Sequence, residues 1–148
     1  LIEALGDREV TVRKFAATVL GNLRDIRAME ELGMALYDLH HEVSQAAAEA
    51  LAKFGAPAVS VLSEALRHPE AAVREHAITG LGKIQDARVA PLLIEMLNDP
   101  ERIVQKQAMH FLGRLKNERA VSALQEIASN RADREMSALA KQILELIK

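Results

Sequence analysis

The stretch VREHAITGLG, residues 73–82, decides the fold. Altered copies stand at residues 12–21 (VRKFAATVLG), 43–52 (VSQAAAEALA) and 104–113 (VQKQAMHFLG), with a degenerate fifth at 136–145 (MSALAKQILE). The anchors Val12, Val43, Val73, Val104 and Met136 are spaced by 31, 30, 31 and 32 residues. A fixed period in that range is the mark of a solenoid, in which each unit buries its apolar face only against its neighbours.

Working outward from each anchor, apolar residues recur at i, i+3, i+4, i+7 and i+8, as in Val12, Phe15, Ala16, Val19, Leu20 and Leu23. That spacing predicts an amphipathic helix, here called B, rather than a strand. Ala16, Ala47, Ala77, Ala108 and Ala140 form a row of small residues that would let backbones approach closely. Gly21, Gly80, Gly82 and Gly113 cost about 1 kcal/mol each in helix propensity, which a close-packing benefit would offset. Gly80 and Phe111 share a column, so the Phe111 ring is expected over the Gly80 notch.

Upstream of each B helix lies a second periodic segment, A. It carries ladders Leu1, Leu32, Leu62, Leu93, Leu124 and, four residues on, Leu5, Leu36, Leu66, Leu97, Ala128. An i, i+4 relation puts both ladders on one helical face. Short breaks such as Gly6-Asp7, His68-Pro69 and Asn98-Asp99-Pro100 separate A from B, and Asp99 before Pro100 reads as an N-cap. Asp25, Asp86 and Asn117 are placed to cap the following A helices. About ten helices are expected, the first truncated, joined by turns of two to five residues.

Composition narrows the function. Aromatic residues make up only 3% of the 148, so the core is built from closely approaching helices. The net charge of −2 gives no global pull toward nucleic acid or anionic lipid. The absence of cysteine removes disulfides and thiolate metal sites and fits a cytoplasmic protein. No apolar run approaches the ~20 residues of a membrane helix. The chain opens on Leu1-Ile2-Glu3-Ala4-Leu5, which matches the end of later A segments, so residues 1–148 read as one repeat domain cut from a longer solenoid or a multidomain protein.

The pattern D-x(4)-V-R-x-x-A-x-x-x-L-G is carried by Asp7, Val12, Arg13, Ala16, Leu20 and Gly21, and again by Val73, Arg74, Ala77, Leu81 and Gly82. It resembles the HEAT repeat and, more narrowly, the short HEAT-like repeat of phycobilin lyases. Departures are Ser44 and Gln105 in place of Arg, Ala52 in place of Gly, and the weak fifth copy, which reads as a polar-faced cap. The resemblance implies an all-α, right-handed α-α superhelix of about five hairpins, with B helices lining the concave side. It also implies that Arg13 and Arg74 tie to turn carboxylates of the next repeat, Asp38 and Asp99.

Chemistry finds little support. Deoxyhypusine hydroxylases of this type carry paired His-Glu motifs two and three residues past the anchor. Here those columns read Lys14-Phe15, Gln45-Ala46, Glu75-His76 and Lys106-Gln107, so the one near-match is reversed and single. No nucleophile elbow or phosphate loop occurs. Few aromatics are available to hold a tetrapyrrole or to stack single-stranded nucleic acid. We therefore expect no cofactor and no metal, and a protein-interaction scaffold whose concave B-helix face binds another protein or peptide. The residues expected to line it are Lys14, Gln45, Glu49, Glu75, Thr79, Lys83, Lys106, His110 and Arg114. A basic row at Lys53, Lys83 and Arg114 would favour an acidic partner, with neither nucleic acid nor membrane as target. The alternative is a HEAT-like enzyme, either lyase-like or hydroxylase-like.

Overall fold

The computed structural model describes residues 1–148 as nine α-helices with short 3-10 turns and no strand. It divides into two compact units, residues 1–86 and 87–148. The first holds a 3-10 turn at Glu3–Gly6, then α1 (Val10–Leu23), α2 (Met29–Ala35), α3 (His41–Phe54), α4 (Val59–Ala65) and α5 (Ala71–Leu81). The second holds α6 (Val89–Glu95), α7 (Arg102–Leu115), α8 (Val121–Ser129) and α9 (Arg134–Ile147). The odd-numbered helices α1 to α5, with α7 and α9, are the B helices; α2, α4, α6 and α8 are the A helices. The truncated first A helix survives as the 3-10 turn. None of the helices is long and apolar enough to cross a membrane.

Within the first unit α1 runs along α3 and α3 along α5, while α2 and α4 pack against the B helix that follows each. Within the second, α7 runs along α9, and α6 and α8 close against α7 and α9. The ladders explain the packing. Leu32, Leu62, Leu93 and Leu124 are fully buried, and burial of each contributes about 2 kcal/mol. The five alanines of the small-residue row are buried as well. At Gly21 a Cβ would lie 2.6 Å from both Cα and Cβ of Ala50, so α1 and α3 meet backbone to backbone.

A Cβ at Gly80 would meet Leu62 Cδ2 at 2.8 Å and the Ala48 carbonyl oxygen at 3.0 Å, so a leucine of α4 and the backbone of α3 crowd that notch. Phe111 lies under the Arg114 guanidinium, 5.5 Å from its ring centroid. One expectation changes. Asp99 is not the N-cap of α7, whose cap residue is Glu101. The Asp99 carboxylate accepts from the Glu101 N–H at 2.9 Å, ordering the turn just ahead of the helix. Asp7 does the same for Glu9 (2.8 Å) and Asp38 for His40 (2.9 Å). An Asx turn rather than a cap is therefore the repeated device. Asp25 and Asn117 do cap, accepting from the N–H groups of Arg27 and Arg119 at the 3-10 turns that lead into α2 and α8.

The Arg13 tie forms as expected. Its Nε and Nη2 donate to the two Asp38 carboxylate oxygens at 2.7 and 3.1 Å, while Nη1 donates back to the Asp7 and Arg8 carbonyls at 2.8 and 3.2 Å. Both side chains are only 13% exposed. The guanidinium holds the Asp38 carboxyl below the usual carboxylate range. Arg74 donates in the same manner to the carbonyls of its own turn, His68 and Pro69, at 2.8 and 2.9 Å.

The α1 stripe departs from the core pattern. Phe15 is 67% and Leu23 61% exposed, and Val12 is exposed too. The matching α3 position, Ala46, is buried, since α1 lies along α3 but no helix lies along the other side of α1.

Candidate functional site

Of the nine residues expected to face a partner, eight lie on B helices of the two units and Lys83 lies just past the end of one. Six of them, Lys14, Gln45, Glu49, Glu75, Thr79 and Lys83, come from the first unit. Gln45 and Glu49 are one turn apart on α3, and the Gln45 amide reaches the Glu49 carboxylate at 3.4 Å. Lys83, just past the end of α5, brings its ammonium to 3.3 Å from the same carboxylate. These three form one polar cluster across successive B helices. Glu75 and Thr79 occupy one half-exposed face of α5, with the Thr79 hydroxyl donating to the Glu75 carbonyl at 3.0 Å.

Lys14 stands apart from that cluster, 3.6 Å from Glu42 at the start of α3. In the second unit Lys106 pairs with Glu135, which also accepts from Arg102 at 2.8 Å, while Arg102 reaches Asp133 as well. Lys14–Glu42 and Lys106–Glu135 occupy the same two columns, two residues past one anchor and one before the next. They act as recurring struts between neighbouring helices. The Lys106 ammonium holds the Glu135 carboxyl below its usual range. Asp133 is lowered as well, first by the Met136 N–H that it caps and then by Arg102.

His110 and Arg114 follow Lys106 at successive turns of α7, and both are exposed. Of the basic row, Lys83 meets a carboxylate, Lys53 donates to Asn22 at 2.5 Å, and Arg114 lies over Phe111. Periodicity did not single out Glu42, Arg102, Asp133 or Glu135, which the struts add to the polar face. A Lys followed one repeat later by an acid before the next anchor is the signal that finds two of them.

The histidines sort differently from any ligand set. His68 Nδ1 accepts from the Glu70 N–H at 3.1 Å, and its ring lies 5.1 Å from that of Tyr37. His40 Nδ1 faces Arg13 Nη2 at 3.2 Å. His76 meets His41 of α3, with Nε2 and Nδ1 2.9 Å apart. No third His, Cys, Asp or Glu converges on that pair.

The profile of HEAT repeats matches residues 1–71 and 59–145, nearly the whole chain. The chain belongs to the HEAT-repeat family. Among solved structures, the complex of CpcE and CpcF of phycocyanin lyase from Nostoc sp. PCC7120 is 24% identical with a TM-score of 0.70, covering 99% of this chain and 63% of that one. A designed armadillo repeat protein in complex with the peptide (KR)4 is 19% identical with a TM-score of 0.61, over 99% of this chain and 80% of its own. Human deoxyhypusine hydroxylase in complex with glycerol is 16% identical with a TM-score of 0.60, over 99% and 82%. At these identities the likeness is one of fold, the all-α solenoid that HEAT and armadillo repeats share. This HEAT-repeat chain spans less than two thirds of the lyase chain it matches. No curated protein matches it.

Proposed function

We propose that the chain is a cytoplasmic, non-enzymatic interaction scaffold that takes a protein or peptide partner on the solvent-facing side of its B helices. One observation carries this reading: the columns facing solvent change chemistry from copy to copy while the core columns do not. Two residues past the anchor stand Lys14, Gln45, Glu75 and Lys106; six past stand Thr18, Glu49, Thr79 and His110. Residues that vary among copies of one repeat are not demanded by repeat packing, which leaves them available for recognition. The peptide-bound armadillo design and the CpcE–CpcF complex are consistent with such use of a related fold. The residues we assign to the partner are Lys14, Gln45, Glu49, Glu75, Thr79, Lys83, Lys106, His110 and Arg114, of which Lys14 and Lys106 also meet Glu42 and Glu135. Lys53 and Arg114 meet no carboxylate in the fold, and with Lys83 they favour an acidic partner.

The test is a partner captured from the native host with the full-length protein, then titrated against a double variant, Lys83→Glu with Arg114→Glu. Binding should weaken by about tenfold or more, roughly 1.4 kcal/mol, with far-ultraviolet circular dichroism unchanged. Equal affinity in parent and variant rejects the B-helix face, and stoichiometric iron in the purified protein would overturn the non-enzymatic reading.

A further inference from the structure

His76 sits on α5 with only 4% of its surface exposed, and the one polar partner of its ring is His41, at the exposed start of α3. Their ring centroids are 4.6 Å apart with planes at 47°. His76 Nδ1 is buried and has no hydrogen-bond partner. That orphan atom selects the tautomer. If His41 donated to His76 Nε2, the His76 proton would sit on Nδ1 as a buried, unpaired N–H, which folded proteins rarely tolerate. With the proton on Nε2, His76 donates to a bare His41 Nδ1, and only a lone pair is left without a partner. The link between α3 and α5 therefore requires His41 to be an acceptor, hence neutral.

We propose that His41 and His76 form a proton-operated joint between α3 and α5, closed while His41 is neutral and opened when it takes up a proton. An imidazolium carries N–H on both nitrogens and accepts nothing. Protonated His41 turns an N–H toward the His76 N–H, and His76 either flips to the tautomer that buries an orphan donor or leaves its site.

The surroundings offer no relief. On α3, His40 faces Arg13 and Asp38, and Glu42 faces Lys14. On α5, Arg74 donates to the His68 and Pro69 carbonyls, and the neighbouring Glu75 leaves His76 Nδ1 without a hydrogen-bond partner. On α4, Glu64 points to solvent. Burial, and then the charge that His41 acquires, both push the His76 pKa down, so a proton on His76 does not substitute for the lost link. Packing alone does not demand a polar pair here. In the α1–α3 seam the equivalent positions are Val10 and Ala46, which fill the same place without a polar atom.

The experiment follows thermal unfolding of the full chain from about pH 8 down to about pH 5.5, the range in which imidazoles titrate, for the parent, for His41→Asn, and for His41→Val combined with His76→Ala. Asn presents an amide oxygen where His41 Nδ1 stands and cannot be protonated. The parent should lose roughly 5 °C more than either variant over that range, and His41→Asn should match the parent at the alkaline end. The same pH slope in parent and His41→Asn would overturn the joint. If the double variant fails to fold, nitrogen-15 spectra of the parent histidines decide alone: His76 should be the Nε2–H tautomer when neutral and should respond to the His41 titration. A His76 spectrum of the Nδ1–H tautomer, or one indifferent to that titration, refutes the proposal.

Discussion

The α1–α3 seam and the α7–α9 seam join consecutive B helices of one repeat type, yet they do so with different materials. In the first, Gly21 brings backbone to within van der Waals contact of Ala50, and a largely buried bidentate Arg13–Asp38 pair bridges the turn. In the second, Gly113 faces the branched side chain of Ile143, and the bridge is the exposed Arg102–Asp133–Glu135–Lys106 network. A small residue and an ionic tie occur at both of these junctions. The repeat does not dictate how close the backbones come or how dry the tie is, and those two variables set how much each seam resists change.

The sharpest way to break the comparison is to add one methyl group to each glycine. Gly21→Ala would place a Cβ 2.6 Å from the Ala50 backbone, so α1 and α3 must separate. Urea unfolding should show a net loss of about 2 kcal/mol, overpacking exceeding the gain in helix propensity. Gly113→Ala meets Ile143 methyl groups at 3.1 and 3.2 Å, which a rotamer change relieves. That variant should lie within about 0.5 kcal/mol of the parent. Equal losses in the two variants would mean that the seams are alike after all.

Next in size are the ionic ties. Asp38→Asn removes the charge that the Arg13 guanidinium grips, and melting should fall by about 4 °C, nearly independent of added salt. Glu135→Gln should lower it by about 1 °C, a difference that vanishes at about 1 M salt because that network is exposed. Acid distinguishes them as well. Asp38, Asp133 and Glu135 all have pKa values lowered by their partners in the fold. A lowered carboxyl contributes stability that is present above its unfolded pKa and is lost as pH falls through the folded one. Acid unfolding should therefore set in below the ordinary carboxylate range, and Asp38→Asn should flatten that limb. The smallest effect belongs to Lys14→Met. Its ion pair with Glu42 is wide and exposed, and stability should change by no more than about 0.5 kcal/mol.

What repeats was legible, because periodicity states which positions share an environment. The Leu32, Leu62, Leu93 and Leu124 ladder and the alanine row could be read from spacing alone, and the Arg13–Asp38 tie followed from the resemblance to the HEAT repeat. What failed depended on single neighbours. Phe15 and Leu23 carry the same apolar spacing as a core stripe, and spacing does not say that one side of α1 is bare. Gly80 is crowded by Leu62 and the Ala48 carbonyl, neighbours that no column reveals. Asp99 looks like a cap because Asp-Pro often opens a helix, whereas here its carboxylate orders the turn before α7. On the candidate face, the exposure of Gln45, Glu49 and Arg114 followed from helical phase. The diversion of Lys14 and Lys106 into struts did not, since long side chains choose among partners only once the helices are placed. The His41–His76 meeting was hidden for the same reason, its two halves lying 35 residues apart on different helices.

Tyr37 is the one tyrosine in a chain without tryptophan, and its ring rests 5.1 Å from the His68 imidazole. With no indole to mask it, the tyrosine emission of the chain arises at a single turn, between α2 and α3. The molecule thus carries a built-in optical reporter whose ring lies against an imidazole. Separation of those two rings on heating should change the tyrosine emission, which would mark the moment at which the first unit comes apart.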